Sequence, residues 1–165
     1  MSPLASALEL FGVILTESNR IQLREAINKS GAEIIREAGD DNWFDIYNMN
    51  ANFKESQQLF VGYDKNTAAF AFAEYQMKYH YLPKMLQRMQ AKYGKARKKY
   101  GTFESDTRYT WQVNGIDIEL SYDWNNNVSR LMYKQANNLQ ALQQAYRQDL
   151  RNKNLEKLNI DASYF

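Results

Sequence analysis

Few side chains in this chain of 165 residues are equipped for chemistry, and their placement narrows what that chemistry could be. His80 is the single histidine, and imidazole is the one side chain that titrates near neutrality without perturbation, so it is the first candidate for a general base. It lies in Tyr79-His80-Tyr81, just ahead of Pro83. A general base needs a nucleophile and an orienting carboxylate, and no Gly-x-Ser-x-Gly frame accompanies it. Asp117 and Glu119 stand two apart in an alternating stretch and so share one side of a strand. Paired carboxylates can hold a cation or divide acid and base roles. They also alternate with Ile116, Ile118 and Leu120, which is the pattern of the wet side of a one-sided sheet. Asp40, Asp41 and Asp45 raise the same question, lack the spacing of a calcium loop, and read the same way. The absence of cysteine excludes disulfides, thiol nucleophiles and thiolate metal sites, and one histidine excludes multi-histidine metal sites. The expectation is no catalytic set, no metal and no cofactor. An enzyme using His80 or the Asp117/Glu119 pair is the alternative.

Lys95-Ala96-Arg97-Lys98-Lys99-Tyr100 is the one local concentration of charge, with Arg88, Lys92 and Arg108 nearby. Cations next to aromatics suit phosphates, stacked bases or anionic lipid. Glu104 and Asp106 follow, and the whole chain carries only +2, so bulk electrostatics does not select nucleic acid. The stretch reads as a solvated loop. A nucleic-acid or anionic-lipid binder through Lys95, Arg97, Lys98 and Lys99 is a further alternative, and an acidic partner protein suits the cluster equally well.

Aromatic residues form the other candidate surface. Tyr47, Tyr63, Tyr75, Tyr109, Tyr122 and Tyr133 all fall on strand-like stretches, as does Trp111. Tyr and Trp bury large area with few rotatable bonds and keep a polar tip, which enriches them at interfaces; they also serve as ordinary sheet core. The expected binding surface is an aromatic sheet face left uncovered by helices, drawn from Tyr63, Tyr75, Tyr109, Trp111, Tyr122, Trp124 and Tyr133. Trp124 is set among Asn125, Asn126 and Asn127 in a turn, where it either folds back on its hairpin or is offered to a partner.

The elements that position these residues are legible from patterning. Leu8 to Leu15 is an apolar lead-in; Thr16 or Ser18 can cap a helix whose buried face is Ile21, Leu23, Ala26 and Ile27, and Gly31 stops it. Strands are predicted at 32–37 and 43–48, then a polar loop, then a hairpin of 58–63 and 69–77 around Asp64 to Thr67. A second helix opens with Pro83 in its first turn, buries Leu82, Leu86, Met89 and Tyr93, and ends at Gly94. Tyr109, Trp111 and Val113 alternate into Asn114-Gly115, a type I′ hairpin signal, and Ile116 to Tyr122 and Val128 to Tyr133 complete a meander. Leu139, Leu142, Tyr146 and Leu150 mark a C-terminal helix lying across one face.

The pattern occurs twice. Val61-Gly62-Tyr63-Asp64-Lys65-Asn66 returns about 59 positions later as Leu120-Ser121-Tyr122-Asp123-Trp124-Asn125, each preceded by a helix-like segment ending in Gly. The predicted fold is α+β: two related helix-on-antiparallel-sheet units with an added C-terminal helix. The first unit covers residues 8–78, the second 79–135, and the helix and tail 136–165.

Leu10-Phe11-Gly12, Ala71-Phe72-Ala73-Glu74-Tyr75, Ala91-Lys92-Tyr93-Gly94-Lys95, Ile116 to Leu120 and Leu131-Met132-Tyr133, in that order, resemble small exported proteobacterial proteins of unassigned function. These are built from tandem helix-plus-antiparallel-sheet units, and β-lactamase-inhibitor-protein-like and BamE-like architectures look similar. The resemblance implies a non-enzymatic periplasmic module that binds another protein as an inhibitor, an immunity-type neutraliser or an envelope assembly factor. Ala5-Ser6-Ala7 matches the small-x-small pattern before signal-peptidase cleavage, though the charged and apolar regions of a signal peptide are missing. Export is the expectation and a cytoplasmic location the alternative. No apolar run is long enough to span a bilayer.

Overall fold

Residues 7–39, 42–49, 55–103 and 106–162 are described by the structure, a computed structural model. Ala5, Ser6, Asp40, Asp41 and Glu104 lie outside the described residues. In chain order the elements are β1 (Glu9–Leu10), β2 (Val13–Ile14), α1 (Arg20–Lys29), β3 (Glu33–Arg36), β4 (Asp45–Asn48), β5 (Ser56–Tyr63) and β6 (Phe70–Lys78). They continue with α2 (Leu82–Tyr93), β7 (Arg97–Lys99), β8 (Arg108–Val113), β9 (Ile116–Asp123), β10 (Val128–Lys134) and α3 (Ala136–Ala162).

The order helix, then four antiparallel strands, occurs twice, and the two meanders join into one eight-stranded sheet of order β3-β4-β5-β6-β10-β9-β8-β7. The junction is between the last strand of each unit, with Tyr75 opposite Leu131. The fold is α+β, two related helix-on-sheet units plus the C-terminal helix. Both units close their last hairpin in the same way. Asp64 Oδ1 accepts from the backbone N–H groups of Asn66 and Thr67, and Asp123 Oδ1 accepts from those of Asn125 and Asn126. Aspartate bonding to its own turn is a local device, so a repeated tetrapeptide reproduces it without tertiary help.

Local chemistry also sets the other boundaries. Asn19 caps α1, and Gln22 returns the bond to complete a capping box. This displaces the expected Thr16 or Ser18 cap; the Ser18 hydroxyl instead donates to the Leu15 carbonyl in the interior. Ile21, expected on the buried face, is exposed, because only Leu23 and Ile27 meet the sheet. Asn114 and Gly115 both have positive φ, as the type I′ turn requires. The Lys95 to Lys99 stretch is not a loop. Buried Ala96 anchors it, and Arg97–Lys99 pairs with β8 as an edge strand.

The sheet separates two cores. Beneath α1 and α2, Leu23, Ile27, Met85 and Met89 pack on Leu59, Val61, Met77, Leu131, Leu120 and Ile118. On the other side Leu142 and Leu139 of α3 pack on Phe72, Phe60 and Met132, joined by Trp43 and Phe44. Trp43 also stacks on Tyr146, with ring centroids 5.6 Å apart. Gly62 permits this approach, since a Cβ there would lie 2.2 Å from the Phe72 ring. Contacts of α3 fall on β5 and β6, and residues 151–159 are exposed. Beyond Met132 of β10, which borders the α3 core, the second unit presents this face of the sheet without a covering helix among the described residues. No helix among the described residues is long and apolar enough to cross a membrane.

Candidate functional site

Four of the seven aromatics expected on an open surface belong to the interior. Tyr63, Trp111 and Tyr133 are buried and Tyr75 is partly buried, all in the core under α1 and α2. Alternation assigns them to one side of the sheet, but helices cover that side. The Trp111 Nε1–H donates to the Gly94 carbonyl at 2.8 Å, tying the sheet to the end of α2. Desolvation raises the hydroxyl pKa of Tyr63, Tyr75 and Tyr133 well above the phenol range.

Tyr122 and Trp124 come together at the surface, and Tyr109, partly buried against the core, borders the same cleft. Trp124 is 57% exposed, and its ring centroid lies 4.2 Å from that of Tyr122. Tyr79 meets the other side of Tyr122 edge-on at 6.2 Å. The Tyr122 hydroxyl donates to Asn127 Oδ1 at 2.6 Å, fixing the ring over the turn. With Leu82, Pro83 and Tyr109 these residues line a cleft of about 530 Å³. The repeat explains why it is open. Tyr63 is the counterpart of Tyr122, yet it is buried, and α1 and α3 both contact its turn: the Arg20 N–H of α1 donates to Ala68 O at 2.8 Å, and Lys65 pairs with Asp149 of α3. At the second turn the Tyr122 hydroxyl bonds within its own hairpin, and the ring borders the cleft.

Across the strand from this cleft lies the open sheet face. Glu119 sits between Arg108 at 3.8 Å and Lys134 at 3.9 Å, and Arg130 between Asp123 at 2.5 Å and Glu74 at 4.0 Å. Asp123 is held below the usual carboxylate range, first by the Asn126 side-chain hydrogen bond and further by Arg130. Lys99, Tyr100, Arg108, Glu119 and Asp123 border a groove of about 1030 Å³ on this face. Tyr122 and Trp124 border both the groove and the aromatic cleft, so the two hollows meet at the β9–β10 turn. Tyr100, 74% exposed, stands on the groove's far rim.

The remaining candidates do not converge. The His80 ring packs on Tyr79 and Tyr81 in the connector between β6 and α2, and no carboxylate among the described residues contacts it. Asp117 and Glu119 share the open face as expected, paired in register with Lys134 and Met132. Asp45 corrects the solvated reading. It is fully buried and accepts from Arg24 Nε at 2.8 Å, Arg24 Nη2 at 2.7 Å, the Ala38 N–H at 2.8 Å and the Tyr47 hydroxyl at 3.3 Å. Phe44 and Ile46 face α3, so Asp45 and Tyr47 must face α1; β4 is covered on both sides. Lys95, Arg97, Lys98 and Lys99 are all exposed, with Lys98 Nζ 5.9 Å from the Tyr109 ring centroid. No group of three or more metal-ligating side chains occurs among the described residues. Tyr79 and the Asp123–Arg130 pair escaped sequence reasoning, although the match of Asp123 to Asp64 in the repeat marks the turn they border.

No protein-family model matches the chain, and no curated protein matches it in sequence. In structure it is similar to a DUF4309 family protein, YjgB, from Bacillus subtilis subsp. subtilis str. 168. The TM-score is 0.50 and the identity 17%, over 78% of this chain and 86% of that one. At that identity the likeness is one of fold.

Proposed function

We propose that the protein is a non-enzymatic protein-binding module of the bacterial envelope, acting as an inhibitor, an immunity-type neutraliser or an assembly factor. Its contact centre is the β9–β10 turn. The observation that carries this reading is Trp124, more than half exposed at the junction of an aromatic cleft and a charged groove. Binding energy concentrates in Trp, Tyr and Arg anchors surrounded by polar contacts, and Trp124 in the turn, Tyr122 in β9 and Arg130 in β10 supply one of each around it. The tandem-unit fold supports the reading as a frame that holds this turn rigidly, because each flanking strand is fixed in the sheet.

Capture from envelope extract on immobilised protein tests it. Wild type is expected to retain one specific partner that Trp124→Ala releases and that Ile21→Ala, on the remote exposed flank of α1, still retains. Equal capture by Trp124→Ala, or no capture by wild type, removes the reading.

A further inference from the structure

We propose that the β7 edge of the sheet accepts an extended acidic peptide segment as a ninth strand. The inference rests on the protein-binding reading and names the chemistry of the partner. β7 pairs only with β8, so one row of its backbone N–H and C=O groups has no strand beside it. Arg97, Lys98 and Lys99 are all exposed, and none has an ion-pair partner among the described residues. Lys99 stands directly opposite Arg108, and like charges at opposed positions destabilise a strand pair. Arg108 is offset only by Glu119 at 3.8 Å, which Lys134 shares at 3.9 Å. A cavity of about 760 Å³ lies inboard of the edge, over the sheet from β7 to β10, bordered by Lys95, Arg97, Lys99 and Lys134 and by the carboxylates of Asp117 and Glu119.

Charged edge strands ordinarily discourage pairing between copies. A single lysine does that; three cations in succession, with a fourth directly across, build a field that an anionic segment neutralises. Alternation sends Arg97 and Lys99 to the open face and Lys98 to the other, which matches an added strand with carboxylates on its outer side. Main-chain hydrogen bonding favours a peptide over a nucleic acid or a lipid headgroup, neither of which can extend a ladder.

The test is fluorescence anisotropy of the whole protein with a labelled ten-residue peptide alternating Glu and Val. Binding is expected at about 50 mM salt and to weaken about tenfold by about 300 mM. Methylating alternate backbone amides of the peptide should weaken it about tenfold or more, as should Lys99→Glu or Arg97→Glu in protein shown by circular dichroism to be folded. Ile21→Ala, on the remote flank of α1, should leave peptide binding unchanged, and capture of the envelope partner is scored beside peptide binding for Lys99→Glu, so that failure of the edge and failure of the turn are read separately. Absence of binding at low salt, equal binding of the methylated peptide, or tighter binding of oligo-dT or phosphatidylglycerol vesicles overturns the proposal.

Discussion

Arg24→Met attacks a buried ion pair that joins helix to sheet in the first unit. The Asp45 carboxylate is wholly buried, and two of its four hydrogen bonds come from the guanidinium. Arg24 is held cationic first by its hydrogen bond to Asp45, against the opposing effect of its own partial burial. Methionine keeps the length and apolar stem but leaves Asp45 with only the Ala38 N–H and the Tyr47 hydroxyl. Breaking a buried pair from one side costs about 3–5 kcal/mol, because the remaining charge is uncompensated. Arg24 is 26% exposed at its side chain, so water reaches one flank of the site and the lower end, about 3 kcal/mol, applies. Asp45→Asn removes the charge while retaining the shape, and a loss of about 1–2 kcal/mol is expected. The double variant should be less damaged than the sum of the two, with a coupling above about 1 kcal/mol. Equilibrium urea unfolding of all four proteins measures this. A loss below about 1 kcal/mol for Arg24→Met, the worth of an exposed ion pair, would refute the reasoning.

Tyr63, Tyr75 and Tyr133 keep their protons in the fold at pH values where the unfolded chain, with its ordinary pKa of about 10, has released them. The folded state then binds more protons, so stability is intact below about pH 10 and falls as pH rises beyond it, by about 1.4 kcal/mol per pH unit per tyrosine. Urea midpoints that stay level from pH 9 to 11 would contradict this. Gly62→Ala forces a Cβ into the Phe72 ring and Leu142, and a thermal-melt loss equivalent to about 1–3 kcal/mol is expected, whereas Gly39→Ala, with open space around it, should change little. Trp124→Ala should cost no more than about 1.5 kcal/mol of stability, the worth of its ring contact with Tyr122, while abolishing partner capture. A large drop in melting temperature would make Trp124 a structural residue instead.

Much of the fold was readable because it depends on local chemistry. The Asn114-Gly115 turn, the two Asp-led hairpins, Gly94 ending α2 and the alternation of Ile116, Ile118 and Leu120 each follow from a few adjacent residues. The errors came where neighbours distant in sequence decide. Asp45 looks like any carboxylate near a turn until Arg24 is placed against it. Lys95 to Lys99 reads as a loop because its charges oppose burial, yet the β8 backbone pairs it as an edge.

Sequence alone determined that the chain doubles a helix-and-strands unit and that its strands alternate, since both properties are written in spacing of two and in a repeated turn. It also determined the absence of cysteine chemistry and of multi-histidine metal sites. Which aromatics would be seen by a partner was decided only in three dimensions. Identical positions in the two units, Tyr63 and Tyr122, differ because α1 and α3 pack near the first, whereas the second borders a surface cleft. Exposure is a property of what packs against a residue, and no local pattern encodes the neighbour that happens to be missing.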